Sequence, residues 1–227
     1  MLRRKTARID RILQAHYGRP KRRSQRDPVS TLVHTILSQN TSDVNSRRAF
    51  ERLRARFPSW EILRDAPVAA VIEAIRIAGL SRLKAPRIQS VLRRITVERG
   101  RLSLGFLRRW PADRAKAWLQ GLHGVGPKTA AIVLVFGLGR PAFAVDTHVY
   151  RVARRVGLIP DDLSVAAAHD WLEALVPPGR YGPLHLLLVR HGRETCRARR
   201  PRCGVCPVRR VCDFYARFAD PRPRSAS

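Results

Sequence analysis

Four cysteines fall in one short stretch near the end of the chain. Cys196, Cys203, Cys206 and Cys212 are spaced C-x6-C-x2-C-x5-C. Four thiolates this close in sequence can close around one tetrahedral metal ion or one cubane cluster. Zinc sites more often pair two CxxC knuckles, and only one CxxC is present here. The spacing therefore favours iron–sulfur over zinc and leaves both open. The loop between the first two cysteines is Arg197-Ala198-Arg199-Arg200-Pro201-Arg202. It offers Arg197, Arg199 and Arg200 to a phosphate.

Further upstream runs Leu122-His123-Gly124-Val125-Gly126-Pro127-Lys128-Thr129. Two glycines bracket one apolar residue between two helical patterns, and Pro127 suits a first helical turn. Gly124, Val125 and Gly126 would let a backbone approach a phosphate, with N–H groups of a helix start aimed at it. An ordinary turn between two helices is equally compatible with these residues. Lys128 would stand in the first turn, where the positive end of the helix dipole disfavours an ammonium. A neutral amine is a nucleophile, whereas a solvated surface lysine is the plainer reading.

A third segment, Ala142-Phe143-Ala144-Val145-Asp146-Thr147-His148, delivers one acid at the end of an apolar approach. Asp146 can cap the following helix, and the same carboxylate can stabilise positive charge in a substrate. The two roles are compatible. His148 reads as a first-turn structural group or phosphate contact.

The elements that must position these groups are helical. Apolar residues recur at i, i+3, i+4 spacing in Val29-Leu32-Val33-Ile36-Leu37, Val68-Val71-Ile72-Ile75 and Ile88-Val91-Leu92-Ile95. Ala130 to Leu138 is apolar nearly all round and predicts one buried helix. Pro and Gly punctuate the stripes, and about ten helices with short links and no sheet follow. The start of the chain carries one short helical pattern before basic and polar residues. No tandem repeat is present, and the last residues read as a frayed tail.

The chain has 227 residues with 45 Lys+Arg against 17 Asp+Glu, a net charge of +28. A polyanion is the natural partner, nucleic acid first. Only Lys5, Lys21, Lys84, Lys116 and Lys128 are lysines; the other 40 basic residues are arginines, which also fits a GC-rich genome. No apolar run approaches the length of a bilayer span. The basic start lacks the apolar region of an export signal. A bacterial or archaeal cytoplasm, with no membrane partner, is the expectation.

Taken together, the hairpin with Lys128, the Val145-Asp146-Thr147-His148 segment and the cysteine loop resemble the endonuclease III family. This is the iron–sulfur branch of the helix-hairpin-helix DNA glycosylase superfamily. The similarity runs over about residues 28–216. It implies an all-α fold of two domains: a six-helix barrel at 29–140 bearing the hairpin, and a four-helix iron–sulfur cluster domain built from 1–28 and 141–217. Residues 218–227 would be a disordered tail. It also implies a monomer that removes oxidised pyrimidines such as thymine glycol from duplex DNA, then cleaves the abasic strand by β-elimination. Lys128 matches the family's Schiff-base nucleophile, Asp146 its catalytic carboxylate, and the four cysteines its [4Fe–4S] ligands.

The family fills the space left by an extruded base with side chains, for which Leu80 is one match. The other is the Gln of the family's Gln-x-x-Asp: counting back from Asp43, Asn40 stands at that position, with Gln39 one residue early. His123 and Pro127 also depart from the commonest hairpin residues, Pro and Arg. These departures leave lesion and opposite-base preference open. A monofunctional mismatch or lesion glycosylase would usually lack Lys128. A non-catalytic DNA binder would not need both Lys128 and Asp146. A zinc-bearing DNA-binding module would be colourless.

Overall fold

Short polar side chains set several helix starts. Asp27 accepts from Ser30 N–H at 2.8 Å, Ser42 from Asn45 N–H at 3.2 Å, and Ser59 from Ile62 N–H at 3.1 Å. Each satisfies a backbone donor that a first turn leaves without a partner. The protein is described by a computed structural model covering residues 1–20 and 27–219. Those residues contain eleven α-helices and no strand. In chain order they are α1 Leu2–Tyr17, α2 Pro28–Ser38, α3 Asp43–Arg56, α4 Trp60–Asp65, α5 Val68–Ala74 and α6 Ser81–Arg99. Then come α7 Ala112–Gln120, α8 Pro127–Ile132, α9 Thr147–Arg155, α10 Ala167–Leu175 and α11 Tyr181–Glu194. The expected all-α class is what the chain adopts. Among the described residues no helix is long and apolar enough to cross a membrane.

The chain divides into two units, Met1–Arg22 with Pro141–Ser227, and Arg23–Arg140. In the Arg23–Arg140 unit, α2 is the central element. Val29, Leu32, Val33, Ile36 and Leu37 are fully buried, as their spacing predicts. They pack against α3, α8 and the wide helical turn Val133–Gly137. Each such side chain contributes about 2 kcal/mol by leaving water. Helix α6 lays Ile88, Val91, Leu92 and Ile95 against α4 and α5.

The single buried helix expected over Ala130–Leu138 is interrupted. Helix α8 ends at Ile132 and the chain widens into a π-turn over Val133–Gly137, leaving Val135 and Phe136 part-exposed. The turn brings Gly137 onto α2, where a Cβ would stand 3.0 Å from Pro28 Cα. That close approach needs glycine.

The other unit joins both ends of the chain. Helix α1 is longer than the sequence pattern indicated. Its Ile9 and Leu13 enter a core with Phe143, Val149, Leu172 and Leu188. Asp10 accepts two bonds from Arg180, both 2.8 Å, a bidentate pair that fixes α1 in place. Of the expected tail, residues 218 and 219 close a helical turn, Tyr215–Ala219, and residues 220–227 lie outside the described residues.

Arginines also close loops in both units by donating to backbone carbonyls. Arg108 reaches Leu138 O at 2.6 Å and Arg140 reaches Leu107 O at 2.9 Å. Arg151 reaches Gly192 O at 2.7 Å. Each guanidinium supplies a donor to a carbonyl in a loop or short turn, or in the last turn of α11 for Gly192.

Candidate functional site

The hairpin runs from α7 through Gly121–Gly126 into α8. Gly124 has φ +76°, and a Cβ there would run into the Arg87 side chain, so two constraints select glycine at once. Val125 is buried and anchors the turn, and its N–H is held by Leu122 O at 3.0 Å. That bond occupies Val125's own donor. Pro127 takes the first helical position behind Gly126, and Lys128 follows it, exposed, in the first turn.

Two loops of the same unit carry the expected gap-filling residues. Asn40 follows α2 with φ +51° and is exposed. Leu80 precedes α6 with φ +50° and is 52% exposed. Gln39 is held on both sides by protein: its Nε2 donates to Gly124 O at 3.1 Å, and its Oε1 accepts from Arg87 Nη1 at 3.0 Å.

Lys84, only 2% exposed, donates to Leu37 O at 2.8 Å, Ala78 O at 2.9 Å and Thr41 Oγ1 at 2.6 Å. Burial, with the Arg87 charge nearby, pushes its ammonium down to about 8. Sequence reasoning passed over Lys84 and Arg87. The available signal was a lysine at the i−4 position of Ile88, on the apolar stripe of α6.

Asp146 caps α9: its Oδ1 accepts from Val149 N–H at 2.7 Å. The extended approach to it is pinned by buried polar groups that the sequence did not reveal. His169 Nδ1 donates to Phe143 O at 2.9 Å, and His185 Nδ1 donates to Ala144 O at 2.8 Å. Glu173 accepts from Phe143 N–H at 2.8 Å. His148 Nδ1 lies 3.1 Å from Arg151 Nη2, so it is engaged within the protein.

Cys196, Cys203, Cys206 and Cys212 line one cavity, and none is in a disulfide. Among the described residues no three His, Cys, Asp or Glu side chains converge to hold a single metal ion. Burial raises the Cys203 and Cys212 thiols and pushes the Cys206 thiol up to about 11. Thiols in such a setting ionise only beside strong positive charge.

Arg155 supplies one cation. Its Nη1 lies 3.5 Å from Cys196 Sγ and donates to Arg197 O at 2.6 Å, and its Nη2 donates to Ala198 O at 3.0 Å. The first cysteine loop is thus held open from within, with Arg197, Arg199 and Arg200 exposed and Arg200 at φ +50°. Buried His191 points Nε2 at Cys206 Sγ, 3.7 Å away, while its Nδ1 meets the Tyr17 hydroxyl at 3.0 Å. Lys128 and the two strained loops belong to one unit; Asp146, His148 and the cysteines belong to the other.

Comparison with known proteins bears on these features directly. The profile of the HhH-GPD superfamily of base excision DNA repair proteins matches residues 33–178. Endonuclease III of Thermotoga maritima is 34% identical over 204 residues, 87% of this chain and 88% of that protein. The chain belongs to the endonuclease III family. A solved endonuclease III, trapped as a covalent intermediate with DNA, shares its fold with a TM-score of 0.78 at 29% identity. That match covers 92% of this chain and 96% of the other. A relative from Arabidopsis thaliana is 40% identical over 162 residues, 71% of this chain, and the chain spans only 55% of that protein's length. As an endonuclease III family member, the chain is a base excision DNA repair protein with a helix-hairpin-helix.

Proposed function

We propose that this protein is a bifunctional DNA glycosylase and abasic-site lyase. It removes oxidised pyrimidines of the thymine glycol type from duplex DNA and cleaves the abasic strand by β-elimination. The supporting observation is an exposed lysine in the first turn behind the Gly-Val-Gly hairpin. It stands in a fold whose solved relative was caught covalently joined to DNA.

The target nucleotide must leave the stack before its sugar can be reached. Lys128 Nζ attacks C1′, the C1′–N bond breaks, and the base departs with the bonding pair. Positive charge builds on the sugar as the bond lengthens, and the Asp146 carboxylate, fixed in direction by its cap bond, stabilises it. The amine gives up a proton and the C1′–O4′ bond opens, O4′ becoming a hydroxyl; the imine thus formed on Lys128 acidifies the 2′ proton, whose loss expels the 3′ phosphate. Hydrolysis of the imine then returns Lys128 as an amine. The backbone at Gly124 and Gly126 holds a phosphate beside the α8 start. His148 and the exposed Arg197, Arg199 and Arg200 extend the phosphate track.

The Arg23–Arg140 unit is the barrel domain in this reading, and the other is the cluster domain. Cys196, Cys203, Cys206 and Cys212 would hold a [4Fe–4S] cluster, which when bound cross-links four chain positions through iron. The donor set fits. The four thiols line one cavity, and four cysteine thiolates are the usual ligand set of such a cluster. Iron and sulfide analysis of the brown protein tests this part. One zinc per colourless chain would refute it.

The deciding experiment is borohydride trapping on a duplex carrying one thymine glycol, with Lys128→Ala alongside. A trapped band lost in the variant is expected. No band from protein that binds the duplex would leave a monofunctional glycosylase or a non-catalytic binder.

A further inference from the structure

Asn40 and Leu80 are non-glycine residues held in the left-handed region, in two loops separate in sequence. Such conformations persist only where the surroundings over-determine them, and they gather at functional sites. Here the determinant is the first turn of α6. Lys84 has three N–H donors and uses them on three acceptors, one at the end of α2, one in the Asn40 loop and one before Leu80. The Thr41 hydroxyl also bonds Ala78 O directly, so the two loops are tied twice.

One turn along α6, Arg87 grips Gln39 Oε1, and Gln39 in turn donates to Gly124 O in the hairpin. Both ends of the Gln39 amide are therefore committed within the protein. Leu80 is apolar and more than half exposed at the outer edge of this brace. An apolar side chain on a rigid support is the device by which proteins wedge into a base stack.

We propose that Lys84 is a positioning residue for duplex substrates: it locks the Asn40 and Leu80 loops into one prearranged surface, with Leu80 as the wedge, while Arg87 and the strut Gln39 hold the Lys128 hairpin independently of it. This rests on the base-excision reading above. A wedge held in place matters only where bases are stacked. A single-stranded abasic site needs no wedge, so its cleavage does not depend on Lys84.

The test compares wild type, Lys84→Met, Thr41→Val and Leu80→Ala on two probes. One is a duplex with thymine glycol opposite 2-aminopurine, and the other is a single-stranded oligonucleotide with one abasic site. For Lys84→Met the duplex KM should rise about tenfold or more, because small misplacements of a positioning group are costly. The 2-aminopurine fluorescence gain on binding should fall with it. Nicking of the single strand should stay within about twofold. Thr41→Val removes one Lys84 acceptor without emptying the site and should show the same split at smaller size, as should Leu80→Ala. Equal loss on both probes, or no loss on the duplex, would overturn the proposal. Wild-type protein inert on both probes would instead overturn the glycosylase–lyase reading, and this inference with it.

Discussion

The Lys84 ammonium is buried beside the Arg87 cation, and its charge state can be read directly. Its ordinary value is 10.5, and in the folded protein it is pushed down to about 8. Below about 8 both folded and unfolded chains carry the proton, and the folded state bears the full cost of burying the charge. Between about 8 and 10.5 the unfolded chain binds the extra proton, so stability rises with pH across that window. At about 1.4 kcal/mol per pH unit, the rise approaches about 3 kcal/mol. Opposing it are the three oxygen acceptors, which favour the charged form, and a neutral amine would leave one of them without a donor.

Composition makes the assay simple. The chain has only five lysines, so Cε-labelled lysine gives five NMR signals, and Lys84→Met identifies one of them. That signal should titrate near 8. The stability difference between wild type and Lys84→Met, by urea unfolding, should move in favour of wild type above that pH. A midpoint near 10.5, with a flat stability difference, would refute the reasoning: it would mean that three hydrogen bonds outweigh desolvation.

Other perturbations have equally definite outcomes. Asp146→Asn keeps a good cap and should melt within about 0.5 kcal/mol of wild type, whereas Asp146→Ala loses about 1 kcal/mol. Base excision should fall sharply in both, and excision tracking the melting loss alone would reduce Asp146 to a cap. Gly124→Ala meets both a left-handed φ and the Arg87 side chain, so thermal unfolding should show a loss of about 1–3 kcal/mol. Gly126→Ala meets no atom within 4 Å and should fold normally while binding duplex DNA less tightly. Duplex binding should weaken about a hundredfold between about 50 and 200 mM salt, through release of counterions from several phosphates. A flat response in a fluorescence-anisotropy titration would contradict the phosphate track.

Residue types with unusual local roles made parts of this molecule legible. Asp146 opens a helix as its sequence setting indicates, and Pro127 begins α8 two residues after Val125. The stripe on α2 is buried residue for residue, because a 3.6-residue period leaves one face little choice. The π-turn at Val133–Gly137 was not legible, since the packing it makes, Gly137 against Pro28, joins positions about a hundred residues apart. The braces were hidden for a different reason. Arg87, Arg155 and His185 act through bonds to carbonyls and amides distant in sequence, and nothing local separates them from solvated neighbours. Gln39 showed the reverse: its type suited an outward role although it stands one residue early, and its side-chain partners are internal.

The guanidinium groups that close the loops bear on how this protein's surface can be engineered. Removing arginines such as Arg108, Arg140 or Arg151 to lower the net charge of +28 would also unlatch Leu138, Leu107 or Gly192. Alanine scanning for affinity would then mix lost phosphate contacts with loosened loops. Lysine would restore the charge without the planar fork of donors, so Arg→Lys is the informative exchange. A position that tolerates lysine is electrostatic, and one that does not is architectural. That division sorts an arginine-rich surface into its solvent-facing coat and its internal fasteners.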